Sequence, residues 1–519
     1  MAALLTINGS SMEAPVGATL FDCAERLGIR VPTSCQKQGK CKECMVEVTE
    51  GMEYLSEPAE RESHLSGAFR LSCRTGIAAV GGTIRCHTMR RGQMRIERKA
   101  VGLPLFESFD ARPGYGLAMD LGTTTVVLRL LDLQTGELAA DASFENPQRF
   151  GGSDVMARIQ YDTQHPGKLL RRTLAGYLSH AIEELPVDPQ AIREMVVVGN
   201  STMRDLFFRQ SVYSIGQSPY QSITEIELAA GTRTSTSLTE TGRRCLLPIH
   251  PAAEVWGAPV ISGHVGADAA ACMLAVDVAR EDRIVAVMDI GTNTELILGN
   301  RHRILAASCP AGPAFEGGAI ACGMPALDGA IERVRIRDDG EFELDVIGGG
   351  APQGICGSGL VSLMSELMRT GRMNDRGRFE DDVDRIVLDE ANHIYFLESD
   401  VNELAQAKGA NVAGLQTVVA NYGIGFDEID VFYLAGGFGR HLDVDAAARI
   451  GLIPGIAKSK IVQVGNAAIE GATLALLSHA KRRELEETVR RVEHCRLETH
   501  PGFFDFFVDG CQFRAVGAA

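Results

Sequence analysis

The sequence predicts two kinds of architecture in one chain: a small α+β unit of β-grasp type at the N-terminus, and a much larger α/β part made of two related halves. Three observations carry this. Cysteines cluster inside residues 1–90, apolar strand patterns alternate with helical ones over the rest, and one glycine-threonine turn motif occurs twice. At 519 residues the chain is too long for one core and reads as about three packing units. Hydrophobic residues make up 45% and charged residues 23%, the balance of a folded chain rather than a disordered one.

The elements follow in order. Leu4 to Ile7 alternate as a short strand, Asn8-Gly9-Ser10 make a turn, and Leu20, Phe21, Ala24 and Leu27 recur at helical spacing between Thr19 and Leu27. A cysteine loop comes next, after which Met45-Val46-Glu47-Val48 resumes strand character. The chain then turns basic and loop-like, punctuated by Gly102, Pro104, Pro113, Gly114 and Gly116. Residues 1–90 are therefore expected to form the first domain, 91–115 a linker, and 116–519 the large part. The polar stretch Thr232 to Arg244 reads as a loop.

A net charge of −16 argues against a broad nucleic-acid footprint, because phosphate binding needs a basic surface. The one basic run, Arg85, Arg90, Arg91, Arg95, Arg98 and Lys99, reads as a solvated linker face. Met1 to Pro15 lacks the pattern of a signal peptide, and no stretch of about 18 apolar residues occurs. A cytoplasmic chain with no membrane partner is expected. In a reducing compartment, a local cysteine cluster points to metal or redox chemistry rather than disulfides.

That cluster reads Cys35-x5-Cys41-x2-Cys44, with Cys73 after twenty-eight intervening residues. A two-iron core needs four thiolates, and this spacing offers three from one tight loop and one from a distant strand. Gly39 permits the backbone turns that aim successive sulfurs inward. A [2Fe-2S] centre on Cys35, Cys41, Cys44 and Cys73 is the expectation. Zinc held by four thiolates is the alternative, but it usually comes as two Cys-x2-Cys pairs. Cys23 and Cys86 stand outside the set and read as small buried hydrophobes.

In the large part, Asp120-Leu-Gly122-Thr123-Thr124-Thr125 is echoed 169 residues on by Asp289-Ile-Gly291-Thr292-Asn293-Thr294, and each copy joins two apolar runs. A strand, tight turn, strand unit lets a phosphate approach glycine, while threonine hydroxyls and N–H groups supply donors. Asp120 and Asp289 can each hold a metal ion directly or through water, Mg2+ being the natural companion of a nucleotide. Val431 to Gly439 gives a strand ending in glycines, with Gly436 and Gly437 placed where a purine or ribose lies against the chain. No G-x-x-x-x-G-K-[ST] loop occurs, and Gly348-Gly349-Gly350 through Gly359 lacks the dinucleotide register.

The paired hairpins and the glycine-ended strand resemble the superfamily of acetate and sugar kinases, heat-shock chaperone ATPases and actin, whose members bind ATP in the cleft between duplicated lobes. Under that resemblance Asp120 to Thr125 and Asp289 to Thr294 are the two phosphate motifs, and Gly436 and Gly437 belong to the adenosine motif. Lobe I is expected at about 116–285, lobe II at about 286–479, and a C-terminal extension over 480–519. Val197 to Thr202 and Gly465 to Ala472 look like the connecting segments.

Joined to an N-terminal [2Fe-2S] ferredoxin, this actin-like ATPase resembles a narrower family, the reductive activators of corrinoid-dependent enzymes. Further stretches look like theirs: Asn146-Pro147-Gln148 with Gly151 and Asp154, Gly263 to Asp268, Ala311 to Gly317, and Gly354 to Gly359. The resemblance implies ATP-dependent electron transfer from the cluster to the Co(II) corrinoid of a partner protein or methyltransferase, restoring Co(I). It implies ATP and Mg2+, a separate low-potential electron donor, and is compatible with a homodimer. The cobalamin is expected on the partner, because the chain has no D-x-H-x-x-G motif and His264 stands in a different context. Ser308, in a loop read from Ser308 to Pro310, is the candidate face towards the corrinoid. The rival functions are activation of another low-potential enzyme and phosphorylation of a small molecule.

Overall fold

The structure, a computed structural model, describes residues 2–89, 95–97, 109–380, 383–437 and 442–516. Arg90, Arg91, Arg98 and Lys99 of the basic run, Gly102 and Pro104 of the expected linker, and Phe438 and Gly439 lie outside the described residues.

Five strands, β1 (Ala2–Ile7), β2 (Ser10–Pro15), β3 (Met45–Glu50), β4 (Phe69–Leu71) and β5 (Thr83–Thr88), form the N-terminal sheet in the order β2-β1-β5-β3-β4. β1 and β5 run parallel in the middle while the other pairs are antiparallel, the β-grasp arrangement the sequence predicts. Helix Leu20–Arg26 begins where its apolar spacing begins, because Thr19 accepts from the Asp22 N–H and caps it. Its Leu20, Phe21, Cys23 and Ala24 are buried with Leu5, Ile7 and Ile84. Cys86 lies in the same core, so both spare cysteines of this domain act as hydrophobes.

The next sheet has seven strands: β6 (Arg95–Glu97), β7 (Tyr115–Leu121), β8 (Thr125–Asp132), β9 (Leu138–Glu145), β10 (Ile192–Val198), β11 (Leu238–Thr241) and β12 (Glu254–Gly257). Its order is β11-β12-β10-β7-β8-β9-β6. β7, β8 and β9 form an antiparallel meander, and β10 then β12 join parallel on the other side of β7. The later sheet repeats the plan. β13 (Val285–Asp289), β14 (Thr294–Gly299) and β15 (Ile304–Cys309) form the meander, and Val431–Ala435 then Ile461–Gly465 join parallel beside β13. The motif echo is thus a duplication of topology.

Two strands differ from the sequence reading. Arg95–Glu97, expected inside the linker, pairs with β9 and adds an edge strand to the first sheet. Leu238–Thr241, expected in a loop, pairs with β12 at the opposite edge. By contacts, the described residues up to Pro259 group with Ala475–Arg482 as a first unit, and the other described residues from Val260 on form a second. Helix Ala267–Ala275 belongs to the second unit because its buried alanines, Cys272, Met273 and Leu274 pack towards β14. In the first unit the core of the N-terminal domain and that of the seven-stranded sheet merge into one cluster, from Leu5 and Ile84 to Leu128 and Val255. Among the described residues, no helix is long and apolar enough to cross a membrane.

Candidate functional site

The cysteine loop departs from regular backbone through left-handed conformations at Gln36, Lys37, Gly39 and Lys42. Gly39, at φ 69°, takes the left-handed region without strain, and a Cβ there would push the Arg74 side chain aside. Arg61 and Arg74 both donate to the Gln38 carbonyl and brace the turn. Cys73 follows β4, and the Ser72 N–H and hydroxyl each donate at 2.8 Å to the Cys44 carbonyl. Glu62 buttresses that strand, accepting from the Leu71 N–H at 2.8 Å and pairing with buried Arg70 at 3.0 Å.

The four thiols gather as two pairs. Cys44 donates to Cys73 at 3.2 Å between sulfurs, while the Thr33 hydroxyl lies 4.0 Å from Cys35 Sγ and 3.8 Å from Cys41 Sγ. Cys41, Cys44 and Cys73 are buried and Cys35 is the half-exposed member. Burial pushes the Cys35 thiol up, but N–H groups of Cys41 and Lys40 outweigh it and bring it down to about 6. The Cys44 thiol donating to Cys73 brings that group down to about 7, and the same bond with burial holds Cys44 up. Thiolates surrounded by N–H donors suit iron, and two pairs match the two thiolates each iron of a [2Fe-2S] core requires.

The first phosphate hairpin links β7 to β8. Asp120 stands one residue before the end of β7, opposite Val127 and Val198, and the Gly122 N–H donates to the Thr125 carbonyl at 3.0 Å to close the turn. Two asparagines hold it. Asn146 donates to the Gly122 carbonyl at 2.7 Å and through its N–H to the Thr124 carbonyl, also at 2.7 Å. Asn200 donates to the hydroxyl of buried Thr123 at 3.0 Å and caps helix Ser201–Phe207 by accepting from the Met203 N–H. Thr124 is half-buried and Thr125 exposed.

The second hairpin links β13 to β14 with different neighbours. Thr292 is buried and its hydroxyl donates to Glu316, while the Gly312 N–H closes onto the Thr292 carbonyl at 2.9 Å. Gly291 and Asn293 are half-buried, whereas Thr294 is fully buried, so its hydroxyl does not face outward. Asp289 accepts from the Cys272 thiol at 3.3 Å. Burial, with the charge of Glu316, pushes the Asp289 carboxyl up to about 6 against that bond. Directly across the ladder from Asp289 stands Glu295, 3% exposed, with one oxygen accepting from Ser308 at 2.9 Å and the other without a partner. Burial and then the charge of Asp268 hold Glu295 well above the usual carboxylate range. A cation beside the orphaned Glu295 oxygen would offset the cost of its burial.

Equivalent glycines press on both hairpins. Gly199 has φ 146° and a Cβ there would come within 2.5 Å of the Leu121 carbonyl oxygen; Gly436 has φ 106° and would meet the Ile290 carbonyl in the same way. Leu121 and Ile290 each follow the motif aspartate. Gly436, expected at the adenosine, is therefore packed on the second hairpin, and exposed Gly437 beside it is open. Ser308 lies on β15 rather than in a loop, with its hydroxyl engaged by Glu295; the Ser-Cys-Pro turn signal begins one strand residue too early. Sequence reasoning missed Glu295 and Cys272. The signal for Glu295 was a charge inside an apolar run where the first copy has Val126.

Three family models match: the 2Fe-2S iron-sulfur cluster binding domain over residues 5–78, the RACo middle region over 115–281, and the C-terminal domain of RACo, the ASKHA domain, over 283–518. The chain is 33% identical over 432 residues to the corrinoid activation enzyme RamQ of Eubacterium limosum, covering 78% of this chain and 71% of that protein. It is 27% identical over 429 residues to the [Co(II) methylated amine-specific corrinoid protein] reductase of Methanosarcina barkeri, covering 76% of each. A solved structure titled reductive activator for corrinoid, iron-sulfur protein superposes with a TM-score of 0.72 at 25% identity, over 99% of this chain and 98% of that one.

Proposed function

We propose, for a chain that belongs to the family of reductive activators of corrinoid proteins, that it returns the Co(II) corrinoid of a partner protein or methyltransferase to Co(I) at the expense of ATP. The observation that carries this reading is the presence, in one chain, of four paired thiols and two phosphate hairpins on duplicated sheets. A small-molecule kinase would use the hairpins and leave the thiols without a task.

Cys35, Cys41, Cys44 and Cys73 hold a [2Fe-2S] cluster, which supplies one electron at a time. Plant-type clusters sit near about −400 mV, and a gap of roughly 120 mV to a lower couple would cost about 2.8 kcal/mol at 59 mV per tenfold. ATP offsets such a gap only by binding two states of the protein unequally. Gly122, Thr123, Thr124 and Thr125, with Gly291, Thr292 and Asn293, serve the phosphates through backbone donors and hydroxyls. Asp289, with Glu295 across the ladder, holds Mg2+ or positions water, and Asp120 is its counterpart in the first half. A separate low-potential protein re-reduces the chain.

The test mixes the purified protein, a low-potential reductant and a Co(II) corrinoid protein, and follows the Co(I) absorption band. The band is expected to rise with ATP and to stay flat without it or with Asp289→Ala. A band that rises equally fast in all three arms refutes ATP coupling.

A further inference from the structure

Helix Leu169–Glu183 of the first unit lies along the cysteine loop of the N-terminal domain, joined to it by one stripe of its surface. Arg172 donates to the Cys41 carbonyl at 3.1 Å and pairs with Glu43 at 2.6 Å. One turn on, Gly176 leaves room for Pro32, whose Cβ would stand 3.0 Å from a Cβ placed on the glycine. Two turns further, Glu183 pairs with Arg30 at 2.7 Å. Positions 172, 176 and 183 fall on one face of a helix, so this side is fitted to the loop along its length. Beside that stripe, the Tyr177 hydroxyl accepts from the Met89 N–H at 3.0 Å, and Arg149 ties Glu47 of β3 at 2.5 Å to Glu145 of β9 at 2.8 Å.

Arg172 differs from the other cations of this loop. Arg61 and Arg74 belong to the N-terminal domain and hold Gln38, whereas Arg172 comes from the ATPase part and reaches a cysteine's own carbonyl. Its partner Glu43 sits between Cys41 and Cys44 with a side chain only 10% exposed. A carboxylate so placed is costly without a cation beside it. Reduction adds a negative charge to an iron-sulfur core, and net charge and hydrogen bonding around the core set its potential.

We propose that Arg172 is a positioning residue of the electron-transfer reaction: it fixes the Cys41–Cys44 segment onto the ATPase part and, by balancing Glu43, raises the reduction potential of the bound cluster. The inference rests on the cluster assignment made above. It makes helix Leu169–Glu183 part of the cluster's housing, so a movement of that helix alters the cluster directly.

The experiment uses the full chain as wild type, Arg172→Ala, Arg172→Lys, Glu43→Gln and the Arg172→Ala/Glu43→Gln double variant. Iron content and visible spectrum of the wild type test the cluster assignment, and its failure there overturns both readings. Midpoint potentials, followed by the electron paramagnetic resonance signal of the reduced cluster, test Arg172. Arg172→Ala is expected to shift the reduced-to-oxidised ratio about tenfold towards oxidised at fixed potential, equal to 59 mV for one electron. Glu43→Gln is expected to move the opposite way, the double variant to lie near wild type, and Arg172→Lys to retain most of the potential. A purely structural role gives no such reversal of sign. An Arg172→Ala protein with full iron and the wild-type midpoint overturns the proposal, as does a Glu43→Gln shift in the same direction. Should Arg172→Ala fail to load iron, Glu43→Gln decides alone: a more positive midpoint supports the proposal and an unchanged one overturns it.

Discussion

Asp289→Asn should stabilise the nucleotide-free protein while disabling it. Burial lifts the Asp289 carboxyl from 3.8 to about 6, roughly two units at 1.36 kcal/mol each, or about 2–3 kcal/mol. Below about pH 3.8 the group is protonated in both folded and unfolded chains and contributes nothing. Between 3.8 and about 6 the folded chain keeps a proton that the unfolded chain has lost, so stability falls as pH rises. Above about pH 7 the whole penalty is present, and the asparagine, which still accepts from Cys272, does not carry it. Urea unfolding of the metal-free proteins should show the variant more stable by about 2–3 kcal/mol at pH 8, with the advantage fading towards pH 4. ATP hydrolysis by the same variant should fall at least about a hundredfold. A stability difference independent of pH, or a variant weaker at pH 8, would refute the claim that this carboxylate is held against its own solvation.

Other outcomes follow from single residues. Glu62→Ala strands buried Arg70 and frees the Leu71 N–H, so the N-terminal domain should lose about 3–5 kcal/mol, measured by urea unfolding, and iron content should fall with it. Gly436→Ala forces a Cβ onto the Ile290 carbonyl at a left-handed φ; about 1–3 kcal/mol of strain should appear in thermal unfolding, with weakened ATP binding in calorimetry. Cys44→Ser removes a buried sulfur of the Cys44–Cys73 pair, and iron analysis should find the cluster lost while nucleotide binding persists.

What the sequence made legible was local. Four cysteines at a fixed spacing and two Asp-x-Gly-Thr turns each lie within a few residues of chain, and the turn chemistry that shapes them is written in those residues. Leu238–Thr241 escaped notice because it is a polar edge strand with one buried residue, which leaves no alternation to read. Arg95–Glu97 was hidden for a related reason: a three-residue edge strand inside a basic run looks like a linker until β9 is beside it. Helix Ala267–Ala275 is apolar apart from Asp268 in its first turn, so its pattern could not say which sheet it covers. Glu295 and Arg172 depend on register and docking, which join residues 6 and 129 positions apart and have no expression in the chain's periodicity.

The two hairpins began as copies and now differ in what surrounds them. In the first, Thr123 and the turn carbonyls are tied by the neutral amides of Asn200 and Asn146, and the position matching Glu295 is Val126. In the second, Thr292 is tied by Glu316, and Glu295 and Cys272 flank the aspartate. At the first, the neighbours that brace the turn are neutral amides, and Asp120 is the carboxylate of the motif itself. At the second, the surrounding groups are carboxyls whose own burial disfavours their charge. Duplication therefore supplied the geometry twice, and substitution at a few buried positions gave the two hairpins different charged surroundings.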